Sequence, residues 1–437
     1  MHVTIRSADD TVKEIIVNIV MKWGDKMFVV DEREKNQKPI KIWLEQKEDI
    51  EPACLEQANN LSNLPFIHKW VALMSDTHMG KGMPIGGVIA TDGVIIPHAV
   101  GSDIGCGMIF VETNIKANLL KETETGSGSL LQTIMGAVQR NVPVGGVHHK
   151  KMQPSKVLTK AMNQIEKYMK APTLLPQVED AFYQMGTLGG GNHFIEFQED
   201  EEGMLCIMIH TGSRHLGSQI GDYFHQVARD LNRKWYSIVP DSYGLAFLPV
   251  MSDEGRLYIN YMNLALDFAE ENRETILSRV MEATARFVGK YSEEELIFAN
   301  KLNVHHNYAA MELHYGRNVW VHRKGAISAR LGEKGIIPGA MGSYSYIVEG
   351  KGNEESFMSC SHGAGRVYSR TKAKQIYSVE QVMCDLKEQN VILGKQNKKD
   401  VAEECRFAYK DIDTVINNQL DLIIPIKKLK TIGVIKG

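Results

Sequence analysis

The chain lacks the features that would place it in a membrane, in an oxidising compartment or in a modular array. Its apolar run from Ile15 to Val20 is a fraction of what crossing a bilayer requires. The opening residues, Met1-His2-Val3-Thr4-Ile5-Arg6, have no signal-peptide core, so a cytoplasmic location is expected. Six cysteines (Cys54, Cys106, Cys206, Cys360, Cys384, Cys405) lack the close, even spacing of a disulfide framework. No long Pro/Gly/Ser-rich linker, repeat or low-complexity stretch divides the 437 residues. Aromatics make up 8% of the chain without an RRM, KH or zinc-knuckle pattern, which argues against a non-enzymatic RNA-binding module. There is no GxxxxGK[ST] phosphate loop and no Lys-x-Asp-Gly, which disfavours lysine-based nucleotidyl transfer. With a net charge of −3, the chain has no global attraction for a polyanion; any such affinity must come from a local basic patch.

What is present reads as one large globular unit. Hydrophobic residues at 43% and charged residues at 24% allow a sizeable core. Strand-like runs, separated by glycine turns, cover Val71 to Met74, Ile85 to Ile89, Val94 to Ile96 and Met108 to Glu112. Helical spacing covers Ser155 to Lys170, Ile220 to Trp235, Arg256 to Val288 and Ser369 to Gln389. In the third of these, Leu257, Tyr261, Leu264 and Phe268 form an apolar stripe best explained by core packing. The pattern predicts an α+β fold of mixed sheets with surrounding helices and chemistry on strand-end loops. Residues 1–37 read as an amino-terminal extension in which Val12 to Val20 and Lys26 to Asp31 could pair as a small hairpin.

Ser361-His362-Gly363-Ala364-Gly365-Arg366 exposes an imidazole among small residues with a guanidinium nearby. That combination suits a nucleophile for phosphorus, because neutral imidazole is available near neutral pH and glycines let backbone N–H groups approach phosphate oxygens. Metal-ligand candidates accompany it. Asp103 and Cys106 stand three residues apart on a glycine-punctuated loop, and a thiolate can bridge two ions. His193 opens an alternating strand, His210 ends its partner strand from Met204, and His306 follows in Val304-His305-His306-Asn307. Arg214, Lys324, Arg366 and Arg370 are the natural cations for neutralising phosphate charge. His148, His149, Lys150 and Lys151 form a basic run that reads first as a solvated surface.

Six ordered blocks carry a family resemblance. They are Asp103-x-x-Cys106, Gly189-Gly190-Gly191-Asn192-His193-Phe194-x-Glu196, His210-x-Gly212-Ser213-Arg214, His306-Asn307, Arg323-Lys324-Gly325-Ala326 and His362-Gly363-Ala364-Gly365-Arg366. In this order they resemble the RtcB family of RNA-splicing ligases, from about Pro39 to the carboxyl terminus. The resemblance makes residues 38–437 the ligase unit. It implies two manganese ions bridged by Cys106, one completed by Asp103 and His193 and the other by His210 and His306. It makes His362 the nucleophile that takes GMP from GTP, before an RNA 3′-phosphate, or a 2′,3′-cyclic phosphate opened first, is joined to a 5′-hydroxyl. For the nucleotide pocket it implies Asn192, His193, Phe194, Ile195, Glu196, His306, Asn307, Pro338, Gly339, Ala340, Met341, Ser345, His362, Gly363, Ala364, Gly365, Tyr409 and Lys436. Phe194 reads equally well as core, and Lys436, at the penultimate position, would ordinarily be a frayed end. Ala340 stands where the family often has serine.

Mixed sulfur, imidazole and carboxylate ligation does not itself select manganese, so that assignment rests on the resemblance. The implied partners are GTP, RNA with broken ends (tRNA or nuclease-damaged RNA) and an archease-like activator. Two other functions stay open at this point: a metal-dependent cyclic phosphodiesterase that hydrolyses without joining, and a non-enzymatic RNA-binding protein. The phosphodiesterase would need the metal ligands but not His362, Glu196 or Lys436.

Overall fold

A computed structural model describes residues 21–22, 27–32, 37–395, 398 and 400–437. Two large sheets organise the chain, and it crosses between them at the residues that carry the chemistry. Among the described residues, the first sheet runs Met21–Lys22, Phe28–Val30, Ile40–Ile42, Ile67–His78, Ile85–Thr91, Arg317–Lys324 and Asn307–His314. The second runs Phe298–His305, Gly107–Lys116, Met204–Thr211, Phe194–Glu199, Ile423–Lys436, Tyr344–Gly350 and Lys334–Ile337. Pairing is antiparallel except where Ile40–Ile42 meets Ile67–His78 and where Ile392–Gly394 joins Ile423–Lys436. Helices pack against these sheets, giving the expected α+β fold in one large domain.

The strands expected at 71–74, 85–89, 94–96 and 108–112 all form, most of them longer than the sequence indicates. Of the expected amino-terminal hairpin, Val12 to Val20 lies outside the described residues. Phe28–Val30 pairs with both Met21–Lys22 and Ile40–Ile42, so it belongs to the first sheet.

The helix Asp253–Val288 is the spine of the molecule, about 54 Å long at 1.5 Å per residue. Ser252 caps it by accepting the Gly255 N–H at 3.0 Å. Leu257, Tyr261, Leu264 and Phe268 are buried, as the stripe requires. One turn further on, the same face carries Asn272 and Arg273, both fully buried. Asn272 accepts the Gly186 N–H at 2.7 Å and donates to Thr187 O at 3.2 Å. Arg273 donates to Gly105 O at 2.9 Å, to Thr211 O at 3.2 Å and to Asn303 Oδ1 at 2.6 Å. One helix therefore ties together the loops from which the candidate ligands project.

Three helices differ from expectation. The helix read from Ile220 begins at Arg214, because packing overrides the low propensity of Gly217 and Gly221. The segment 155–170 is α-helical only over Lys156–Asn163; a 3₁₀ turn follows at Ile165–Lys167, and beyond it the Tyr261 hydroxyl donates to the carbonyls of Tyr168 and Ala171. The segment 369–389 splits into Arg370–Ile376 and Val379–Glu388. Ser378 and Gln381 form a capping box between them, restarting the helix. None of the six cysteines is in a disulfide, and all but Cys384 are buried. Among the described residues, no helix is long and apolar enough to cross a membrane.

Candidate active site

His306 sits on the seam between the two sheets. The chain leaves the second sheet at His305 and enters the first at Asn307. The His306 N–H donates to Cys106 O at 2.8 Å, and its carbonyl accepts the Gly325 N–H at 2.8 Å. Strand register brings the other groups to the same place, with Phe194 opposite His210 on one side and Lys436 on the other. Lys436 is therefore an ordered, buried strand residue, 6% exposed, where a chain end would normally fray.

Cys106 lies at the centre of a ligand set. Its Sγ is 3.4 Å from His193 Nε2 and 3.2 Å from His210 Nε2, and these three ligand atoms all lie within 4.8 Å of one another. Asp103 Oδ2 is 3.2 Å from the same His193 nitrogen. On the other side, the His210 and His306 rings are 5.1 Å apart. Two groups of donors thus meet at one thiol: Asp103 with His193, and His210 with His306. Backbone carbonyls orient the rings, Leu188 O accepting from His193 Nδ1 at 3.0 Å and Asn192 O from His210 Nδ1 at 3.2 Å. Gly212 makes room for the carboxylate; a Cβ there would lie 2.4 Å from Asp103 Oδ1.

The protonation states suit a cation. Burial alone would raise the Asp103 carboxyl, but the His193 hydrogen bond and the charges of His193 and Arg214 hold it at about 2. Burial drives His210 and His306 well below the usual imidazole range, with neighbouring imidazoles adding to the effect. Burial, reinforced by the Asp103 charge, pushes the Cys106 thiol well up. The pocket therefore offers a carboxylate, neutral imidazoles and a thiol that ionises only beside a metal ion. His306 Nδ1 is buried with no hydrogen-bond partner among the described residues. Such an orphan costs about 1–3 kcal/mol, as expected of an atom kept for a ligand.

His362 approaches this set from a small two-stranded sheet, Ala326–Ser328 with Ser359–Ser361. It follows the short strand Ser359–Ser361, and its ring centroid is 4.7 Å from that of His306. Its Nδ1–H donates to Asp76 Oδ2 at 2.6 Å, and its backbone N–H donates to the same oxygen at 3.1 Å. This tautomer leaves the lone pair on Nε2. Asp76 is fully buried within Ile67–His78. Gly365, at φ +72°, brings the His362 loop so close that a Cβ would sit 2.1 Å from Asp76 O. Only glycine fits there.

A cavity of about 320 Å³ opens from His362 and His210 toward Glu196. Asn192, Phe194, Pro338, Gly339, Ala340 and Met341 line it, as do Gly363 to Arg366, Arg370, Tyr409 and Lys436. Glu196 Oε2 accepts from Gln198 Nε2 at 2.7 Å and from Thr431 Oγ1 at 3.1 Å, leaving Oε1 without a protein donor among the described residues. Burial raises this carboxyl to about 7, against the opposing effects of Gln198, Thr431 and Lys436. Ser345 Oγ, which accepts the Gly339 N–H and a Gln198 N–H, both at 3.2 Å, braces the loop beside it.

A profile described as "tRNA-splicing ligase RtcB" matches residues 57–437. The chain is 39% identical to the RNA-splicing ligase RtcB of Escherichia coli K12 over 91% of its own length and 97% of that protein's. It is 34% identical to the tRNA-splicing ligase RtcB of Methanococcus maripaludis, covering 89% and 92% of the two chains. Against the RNA-splicing ligase RtcB of Mycobacterium tuberculosis the identity is 32%, over 87% and 100%. The chain belongs to the RtcB family.

Within this RtcB chain, the predicted site residues fall into three positions. Asp103, Cys106, His193, His210, His306 and His362 come together, while Arg366, Arg370, Tyr409 and Lys436 gather around Glu404. That carboxylate accepts from Arg366 Nη1 at 3.3 Å and Arg370 Nε at 3.1 Å, bonds the Tyr409 hydroxyl, and lies 3.6 Å from Lys436 Nζ. Burial would raise it, but Lys436, Arg366 and Arg370 hold it at about 2. Of the remaining residues, which otherwise line or brace the cavity, Arg214, Asn307, Lys324 and Ile195 stand outside it. Arg214 lies 3.0 Å from His193 Nδ1. Asn307 uses both ends of its amide to join Asp103 O to the Gly325 N–H. Lys324 donates to the carbonyls of Lys81, Met83 and His98 at 2.6, 2.9 and 3.2 Å. Burial lowers it to about 7. Ile195, alternating with Phe194 and Glu196, packs into the core on the opposite face.

Asp76, Gln198, Glu404 and Thr431 are functional candidates that reading the RtcB sequence blocks does not single out. Gln198 alone carried a signal, two residues after Glu196 on one strand face.

Proposed function

We propose that this chain is an RNA ligase that joins an RNA 3′-phosphate, or a 2′,3′-cyclic phosphate after opening, to a 5′-hydroxyl, using GTP and two divalent ions, manganese by family resemblance. The observation that carries this reading is the placement of His362. Asp76 holds its ring beside the Cys106 cluster, at one end of a cavity whose other end presents the Glu196 carboxylate.

In this reading His362 Nε2 bonds to the α-phosphorus of GTP as the bond to pyrophosphate breaks. Asp76 stabilises the positive charge that develops on the imidazole. Asp103, Cys106 and His193 would hold one ion and Cys106, His210 and His306 the other, and bound divalent ions supply charge neutralisation at the reacting phosphates. Glu196 Oε1 would accept from the guanine N1–H and exocyclic amine. The RNA 3′-phosphate then takes GMP from His362. Finally the 5′-hydroxyl oxygen attacks the activated 3′-phosphorus, GMP leaves and the hydroxyl proton is released. Arg366, Arg370 and Lys436 line the cavity as its cations, held in place by Glu404.

A pair of RNA strands, one ending in 3′-phosphate and the other beginning with 5′-hydroxyl, tests this directly. Incubation with GTP and manganese should yield one joined strand with a phosphodiester at the junction. Ring opening of a cyclic phosphate without joining, at any GTP concentration, would instead make the chain a phosphodiesterase.

A further inference from the structure

We infer that the arginine-rich cavity formed by Arg140, Arg279 and Arg286, with the neighbouring Lys150 and Lys151, is a docking track for the sugar–phosphate backbone of the RNA strand leaving the active site. The inference rests on the ligase reading and says where its substrate lies. A chain of net charge −3 cannot attract RNA globally, so a local surface must do so.

The cavity, about 420 Å³, is polar and has one carboxylate, Glu282, beside its three arginines. Arg279 builds it. Its guanidinium donates to Gly186 O at 2.8 Å, Asn141 O at 3.2 Å, His149 Nε2 at 3.1 Å and Gln153 Oε1 at 3.0 Å. Three of these bonds fasten the 141–153 segment to the spine helix, and the fourth fastens Gly186. Arg140, Lys150, Lys151 and Arg286 are exposed and form no ion pair among the described residues, and Arg286 spreads over the Phe287 ring at 4.6 Å. Most cations elsewhere at the candidate site are already satisfied, Arg366 and Arg370 by Glu404 and Lys324 by three carbonyls. Unpaired arginines are suited to phosphate, because the planar fork binds it in two places and sheds little hydration.

The track reaches the reaction centre through touching glycine loops. The Gly145 N–H donates to Gly189 O at 2.9 Å, and a Cβ on Gly190 would lie 3.6 Å from Gly145 Cα. A Cβ on Gly191 would in turn lie 3.1 Å from the Arg370 guanidinium, which lines the nucleotide cavity. His193 follows two residues later. A strand whose end is held at His362 and the metal ligands can thus cross side-chain-free backbone to the arginines. The contact is with phosphates, so it should be independent of base sequence and sensitive to salt.

The test is a double variant, Arg140→Ala with Arg286→Ala, because both side chains are exposed, whereas Arg279 holds the local structure together. Binding of wild type and variant is measured without GTP, against a single-stranded RNA of about 20 nucleotides and against a dinucleotide, each ending in 3′-phosphate. Labelled-GTP uptake is followed separately. The expected result is about tenfold weaker binding of the long strand at physiological salt, and a plot of log affinity against log salt shallower by about 1.4, two contacts' worth for a single strand. Dinucleotide binding and GMP uptake should match wild type. Unchanged long-strand affinity and salt slope would overturn the inference, as would equal losses for both RNAs. Failure of wild type to take up GMP would instead sink the ligase reading itself, and that arm uses no RNA.

Discussion

Cys106→Ala is expected to lose both bound metals and all detectable transfer of GMP from GTP. The reason is geometric. Sγ lies 3.4 Å from the His193 nitrogen and 3.2 Å from the His210 nitrogen, so a single thiolate serves both halves of the ligand set. Its removal leaves Asp103 and His193 on one side and His210 and His306 on the other, two donors each. Losing an outer-shell partner typically costs about 10–100-fold in metal affinity; losing a shared ligand should cost both ions more than that. The fold should survive, since the change removes one buried sulfur from a loop held by Arg273 and Asn307. Elemental analysis of the purified variant, alongside labelled-GTP uptake, provides the check. A variant that keeps two equivalents of metal and takes up GMP would show that Cys106 is not the bridge.

The second large effect is expected at Asp76, a positioning residue. Its Oδ2 receives both the ring and the backbone N–H of His362. Without it the imidazole can rotate or adopt the other tautomer, and the charge that develops during attack has no counter-ion. Loss of the corresponding carboxylate from a hydrolytic triad costs about 10⁴-fold. Asp76→Ala should therefore slow GMP uptake by about 10²–10⁴-fold, with metal content and GTP affinity unchanged. Asp76→Asn should be impaired to a similar degree, because its amide N–H can donate to ring Nδ1 and favour the tautomer protonated on Nε2, and it offers no counter-charge. Unaltered single-turnover rates in both variants would remove Asp76 from the account, and loss of metal would recast it as a purely structural residue.

Asp76 also shows where reading a sequence stops. The candidate metal ligands and His362 are legible because all but His306 stand in short, unusual glycine-bearing blocks, and thiol, imidazole and carboxylate at such positions have few other uses. Asp76 is one carboxylate in an ordinary strand, and its partner lies 286 positions away. Glu404 is equally silent, lying in a short 3₁₀ turn, yet it gathers Arg366, Arg370, Tyr409 and Lys436. Its role depends on three long-range contacts, to Arg366, Arg370 and Lys436, that no local pattern encodes. Asn272 and Arg273 were within reach, since a polar pair one turn beyond Phe268 interrupts an apolar stripe that otherwise continues. The fold divides in the same way. Strands and the spine helix follow from periodicity, while helix ends follow from caps and packing. The Ser378–Gln381 capping box was written in the sequence, but the start of the helix at Arg214 depended on tertiary contacts that override glycine.

The claim on which the rest depends is that His362 bonds covalently to GMP. The direct measurement is mass spectrometry of the wild-type protein after incubation with GTP and manganese, followed by digestion and mapping of the adduct. The account predicts one added GMP per chain, on the peptide containing His362, through an acid-labile phosphorus–nitrogen bond, and none in His362→Ala. An adduct on any other residue, or the same adduct in His362→Ala, would contradict it.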